Sequence, residues 1–139
     1  HGLKIEEGTF TPIIWGTDNV GTGKTYSRQI GIYKKIGKLV YVFCSVGFSS
    51  KGSDISGGVR IGGFPFVVKN ANLYFPVTTL FHRYLVKQSN SIGIVVQFRQ
   101  GAAEAAITEL FDNDLDISVT ATQLTDSTIL TFNGCYLTN

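Results

Sequence analysis

The residues nearest to a chemical motif in this chain are Gly21-Thr22-Gly23-Lys24-Thr25. A phosphate-binding loop of the form G-x-x-x-x-G-K-[ST] wraps phosphate in backbone N–H groups and presents a lysine to it. Gly23, Lys24 and Thr25 fit the end of that pattern, but Asp18 stands where its first glycine belongs. A carboxylate there repels phosphate. Tyr26–Tyr33 reads as a strand, so the helix N-terminus that completes such an anion site is missing. The plainer reading is a Gly-rich loop between two strands. A nucleotide held by Gly21, Gly23, Lys24 and Thr25 is the alternative.

Asp112-Asn113-Asp114-Leu115-Asp116 opens like a calcium loop. An EF-hand loop needs Gly at its sixth position and Glu at its twelfth. Those positions hold Ile117 and Gln123, which leaves solvated turn carboxylates. His1 and His82 are the only histidines, and no His/Cys/Asp cluster has zinc-ligand spacing, so no metal is expected. No Gly-x-Ser-x-Gly elbow accompanies His82. Glu104, Glu109, Asp112 and Asp114 lie in one region, but glycosidic cleavage by paired carboxylates needs a cleft, and a domain this small has little room for one. The expectation is a protein that is not an enzyme.

Aromatic residues carry more information. Trp15, Tyr26, Tyr74, Phe81 and Tyr84 lie near expected turns. Sugars bind aromatic faces with polar rims, and aromatics with arginine dominate protein interfaces. A place in the core or at a subunit contact suits each of them as well. His82-Arg83-Tyr84, flanked by Phe81 and Leu85, is the expected exposed polar-aromatic patch. With Trp15 and Tyr74 these three make the candidate ligand-binding set.

The elements that must position these residues read as strands. Sixteen glycines, ten phenylalanines and six tyrosines suit strands and turns. Expected strands are Phe10–Trp15, Thr25–Lys34, Lys38–Phe48, Val59–Ile61, Asn72–Thr79, Arg83–Lys87, Ile92–Arg99, Ala106–Phe111, Leu115–Thr122 and Thr128–Leu137. Lys38–Phe48 is the clearest. Val40, Val42, Cys44, Val46 and Phe48 share one face, and Leu39, Tyr41 and Phe43 the other. Apolar residues on both faces predict a strand covered by the opposite sheet and by a neighbouring subunit. Leu115, Ile117 and Val119 alternate with Asp116, Ser118 and Thr120, as in a strand with one outer face. Ala102, Ala103, Ala105 and Ala106 make Gln100–Leu110 the one stretch with helical character.

At 139 residues the chain is one domain, large enough to fold without metal or disulfide. Charged residues make up 16% of it, against a usual share of about 25%. A surface so poor in charge calls for a partner. The net charge of +2 is too small to argue for nucleic acid, and Lys34, Lys35 and Lys38 divide between both faces of their strands. Cys44 and Cys135 sit in apolar runs; they pair only if their strands bring them close enough. No stretch approaches the ~20 apolar residues of a membrane span, and the first residues are mixed and charged, unlike a signal peptide. A first residue of His is expected of a fragment or a cleavage product.

A second pattern spans the first half of the chain. It comprises Gly8-Thr9-Phe10-Thr11-Pro12, then Tyr26-x-x-Gln29-x-Gly31-x-Tyr33-x-Lys35-x-Gly37-x-x-Val40, then Ile61-Gly62-Gly63-Phe64-Pro65-Phe66. These segments resemble the C-terminal domains of bacteriophage tail fibres and tailspikes. The matched residues look like scaffold: Pro12 and Pro65 fix turns, Gly31 and Gly37 permit close approach, and Phe64 and Phe66 fill a core.

The resemblance implies an all-β fold, a β-sandwich or jelly roll acting as the head of a parallel homotrimer. It implies a division into residues 1–8, a linker to a shaft, and 9–139, the sandwich. It places the protein on the virion, assembled in the host cytoplasm. Two roles follow. The first is a tip that contacts host-surface polysaccharide or another receptor. The second is a cleavable intramolecular chaperone that aligns three chains so that the shaft folds, with a nucleotide bound at the Gly21–Thr25 loop. Aligned chains fold faster because intertwined shafts lose much chain entropy before their contacts form.

Overall fold

The computed structural model describes residues 4–72, 76–112 and 115–139. Its strands are β1 (Ile5–Phe10), β2 (Ile13–Gly16), β3 (Thr25–Ile36), β4 (Leu39–Ser50), β5 (Val59–Gly62), β6 (Val77–Thr79), β7 (Phe81–Arg83), β8 (Ser91–Phe98), β9 (Glu104–Phe111), β10 (Ile117–Ser118) and β11 (Ile129–Leu137). They form two antiparallel sheets. One has the order β1-β3-β4-β11-β7; the other has β2-β5-β9-β8-β6, with β10 also pairing with β9. The fold is all-β, a two-sheet sandwich.

Side-chain alternation explains the first sheet. Val40, Val42, Cys44, Val46 and Phe48 of β4 are buried, and Leu130, Phe132 and Tyr136 of β11 join them. The second sheet answers with Val59, Ile61, Ile94, Val96, Phe98 and Ile107. Phe64 lies at the centre of the packing. Its ring meets Phe10 at 5.7 Å, Phe98 at 5.7 Å, Phe132 at 6.2 Å and Tyr136 at 6.2 Å between centroids. Phe66 sits at the margin, edge-on to Tyr33 at 5.4 Å. The buried Tyr136 hydroxyl donates to the Phe66 carbonyl at 2.8 Å, and burial pushes that phenol well above its ordinary pKa.

Several sequence expectations change. Ile5–Gly8, expected in a linker, are part of β1 and pair with Ile36–Tyr33 of β3. Phe10–Trp15 is not one strand. It breaks at Thr11-Pro12, where proline has no N–H for a ladder, and the chain passes from the first sheet to the second. Gln100–Leu110 is not helical, since Glu104–Phe111 is β9, paired with both β5 and β8. Alanine serves there as a small partner: Ala105 lies opposite Phe98 in the ladder. Only Ile117–Ser118 of Leu115–Thr122 is strand, and Ala121–Gln123 forms a 3₁₀ turn. Of Asn72–Thr79 only Val77–Thr79 is a described strand, and Arg83–Lys87 leaves the sheet after Arg83. Cys44 and Cys135 are both free and lie on opposite faces of neighbouring strands, one buried and one exposed.

Gly31 shows why close approach needs glycine. A Cβ there would stand 2.6 Å from the Phe10 ring and 2.4 Å from the Phe10 carbonyl oxygen. Gly31→Val should therefore destabilise the fold by about 1–3 kcal/mol in urea unfolding, the usual range for overpacking. An unchanged midpoint would mean that Phe10 is free to move aside. Gly37 meets a different demand. It opens the two-residue turn between β3 and β4 with φ +59°, a conformation that suits glycine at the first turn position.

Candidate binding surfaces

The Gly21–Thr25 loop is tied into the sandwich. The Lys24 ammonium donates to the Ile14 carbonyl at 3.0 Å and to the Val20 carbonyl at 2.7 Å. Burial lowers its pKa from the ordinary lysine value. The Gly21 N–H donates to Asn19 Oδ1 at 2.9 Å and the Thr22 N–H to the Ser53 carbonyl at 3.0 Å. The Thr25 hydroxyl pairs with that of Ser49 at 2.7 Å. Gly21 and Gly23 take positive φ, but strand β3 follows rather than a helix. The Lys24 ammonium and the Gly21 and Thr22 amides are thus engaged within the fold, and the loop braces β2 against β3.

The expected ligand set does not converge on one site. Trp15 is half-buried on the outer face of the second sheet, in a row with Arg60, Ala106 and Gln97. Arg60 there pairs with Glu104 at 3.6 Å, and Arg99 reaches the same carboxylate at 3.9 Å. Tyr74 lies outside the described residues. His82 is opposite the buried Leu130 and is itself half-buried, whereas Phe81 and Arg83 point outward. The Arg83 guanidinium lies over the Phe81 ring, 5.7 Å from its centroid.

Tyr84 is the most prominent member of the patch, with 66% of its surface exposed. Its φ is +57°, and its carbonyl accepts hydrogen bonds from the Thr125 and Thr128 hydroxyls, each at 2.8 Å. Those two bonds fix a backbone that is costly for a non-glycine residue, and they hold the ring out in solvent. Phe81, Arg83 and Tyr84 thus form an outward aromatic-cationic edge, while His82 belongs to the packing beneath it.

Beneath the patch lies a buried polar network that the sequence reading did not find. Glu109 of β9 is fully buried. Its Oε1 accepts from Gln123 Nε2 at 2.9 Å and its Oε2 from the Gln88 N–H at 3.2 Å. Gln123 Nε2 also donates to the Val86 carbonyl at 2.8 Å, and its Oε1 accepts from the Thr120 N–H at 3.0 Å. This carboxamide therefore anchors the strand-free Leu85–Gln88 segment to β9.

Burial and the Lys87 charge hold His82 below its ordinary pKa, with Glu109 opposing them. A histidine with a folded pKa below its unfolded one favours the neutral form. Its stabilising contribution is full above the unfolded value and is lost as pH falls through the unfolded value towards the folded one. As pH falls below about 6.5, stability should therefore decline more in the native chain than in His82→Gln. Equal slopes in urea titrations would assign the acid sensitivity elsewhere.

The outer face of the β1-β3-β4-β11-β7 sheet is largely apolar. Strand register sets its rows. Ile5, Ile36, Leu39 and Leu137 form one; Glu7, Lys34, Tyr41 and Cys135 form the next. Thr9, Ile32, Phe43 and Asn133 form a third, and Ile30, Ser45, Thr131 and Phe81 a fourth. Ile5 is 63% exposed, Ile32 50% and Phe81 59%. A shallow depression of about 540 Å³ opens in this face between Glu7, Thr9, Ile32, Lys34 and Tyr41. The signal was legible in part, in the doubly apolar Leu39–Phe43 stretch. The contributions of β1 and β3 were not, because they depend on register.

An all-β sandwich of two antiparallel sheets, with a buried aromatic cluster between them, defines the class of domain. No protein-family model matches the chain, and no curated protein matches it. The same fold occurs in a solved structure, the crystal structure of Dettilon tailspike protein (gp208), with a TM-score of 0.78 over 97% of this chain. The two are 16% identical, and the chain spans 24% of the tailspike's length. The likeness is one of fold, to a part of a longer protein.

Proposed function

We propose that this chain is a domain of a phage tailspike or tail fibre that associates as a homotrimer on the virion and contacts host-surface polysaccharide or another receptor, without catalysing a reaction. The observation that carries this reading is the fold shared with a tailspike protein over nearly the whole chain, at a TM-score of 0.78. The Gly8–Pro12, Tyr26–Val40 and Ile61–Phe66 segments support it from the sequence. The edge formed by Phe81, Arg83 and Tyr84 is the receptor contact, since an exposed ring held in a fixed backbone beside a guanidinium suits the flat faces and hydroxyls of sugars.

The test is competition. The isolated domain should block adsorption of whole virions to host cells. Tyr84→Ala and Arg83→Ala should each weaken cell binding about tenfold, with melting temperatures close to the parent's. A domain that blocks nothing, and whose deletion from the full-length spike leaves monomeric shafts, would transfer the role to the intramolecular chaperone. The engagement of Lys24 with two carbonyls counts against a nucleotide in that second role.

A further inference from the structure

We propose that copies of this chain meet through the outer face of the β1-β3-β4-β11-β7 sheet, centred on Ile32, Tyr41 and Phe43. The proposal rests on the homotrimer reading and names the surface that reading leaves open.

Exposed apolar surface is the first argument. Ile5, Ile30, Ile32, Ile36, Leu39, Tyr41 and Leu137 are each at least 36% exposed on this one face, and a contiguous apolar patch of this kind marks an interaction site. The outer face of the opposite sheet is mixed instead: Ile13, Trp15 and Val77 share it with Arg60, Glu104, Gln97 and Thr108.

Charge selects another copy over a different partner. In the three rows around Ile32 and Tyr41 the only charged side chains are Glu7 and Lys34, and they pair with each other at 3.5 Å. Arg28 and Arg83 lie in the row at the far end. A face that has already neutralised its charges can meet its own copy without like-charge repulsion. Its three central rows offer no unpaired cation to attract an acidic polysaccharide or an anionic lipid surface, and Phe81 and Arg83 at the far end remain with the receptor edge. The depression beside Tyr41 gives an apolar side chain of a neighbouring copy a place to enter.

Cys135 makes the proposal measurable. It lies in the row of Tyr41, is exposed in the single chain, and would be covered in the assembly. Cys44 does not compete for a thiol reagent, because burial pushes its pKa up to about 12. The experiment combines light scattering with the rate of Cys135 labelling by a thiol reagent, on the full chain across dilution. The native chain should assemble at high concentration and label at least tenfold more slowly there than when dilute. Ile32→Asp with Tyr41→Asp should be monomeric and label fast, whereas Val77→Asp, on the other sheet, should behave as native.

A native trimer whose Cys135 labels freely at all concentrations, or a folded double variant that remains trimeric, would overturn the face and leave the trimer reading standing. A native chain that is monomeric throughout would overturn both. If the double variant does not fold, the concentration dependence of labelling in the native chain decides the matter alone.

Discussion

Phe64→Ala should lower the unfolding free energy by about 3–5 kcal/mol, the largest effect expected from any single truncation in this fold. The ring touches Phe10 of β1, Phe98 of β8, and Phe132 and Tyr136 of β11, so its removal opens a void between the sheets. Its neighbours are rings held by strand backbones, which collapse poorly into a gap. A domain of this size has about 5–15 kcal/mol in all, so the variant should sit near the folding threshold. Urea unfolding followed by tyrosine and tryptophan fluorescence gives the number. Phe64→Leu, which refills part of the volume, should cost clearly less. A loss under about 1 kcal/mol in the alanine variant would mean that the sheets close around the gap.

The second large effect is at Gln123. Gln123→Leu should destabilise the domain by about 3 kcal/mol, because it strips one oxygen of a fully buried carboxylate of its donor and orphans the Val86 carbonyl and Thr120 N–H together. Glu109→Leu should also be costly, leaving the carboxamide and the Gln88 N–H short of a partner. The double variant should be less destabilised than the two single losses combined, since removing both members leaves fewer groups unsatisfied. Strict additivity in the double-mutant cycle would mean that the two side chains do not interact.

Local alternation made part of this fold legible, and register hid the rest. β3, β4 and β11 follow from period-two patterns in their own residues, as do the inward positions of Val40–Phe48. Glu104–Phe111 misled because alanine favours helices in isolation, whereas here it is the small residue that lets Phe98 lie opposite. Phe10–Trp15 misled because a continuous apolar run conceals a change of sheet at one proline. The binding residues suffered most. Whether Trp15 stands near Tyr84 depends on which sheet each strand joins, and no spacing encodes that. His82 looked like the centre of a patch, yet the pleat turns it inward between two outward neighbours. The Glu109–Gln123 contact links β9 to a turn after β10, and neither residue carries a pattern that marks it as buried.

The position of β11 has a consequence for biosynthesis. It is inserted between β4 and β7 and supplies Leu130, Phe132 and Tyr136 to the core. A ribosome makes β4 some eighty residues earlier, as the difference between Leu39–Ser50 and Ile129–Leu137 in the sequence shows. Until Leu137 clears the exit tunnel, β4 keeps one edge without its partner, and the aromatic cluster lacks two of its rings. The nascent domain therefore cannot close strand by strand as it emerges; it closes in one late event. A polypeptide terminated before Ile129 would keep an open edge strand and a core exposed to water. Such products should go to proteases and chaperones, which makes this sandwich a check that translation has passed β11.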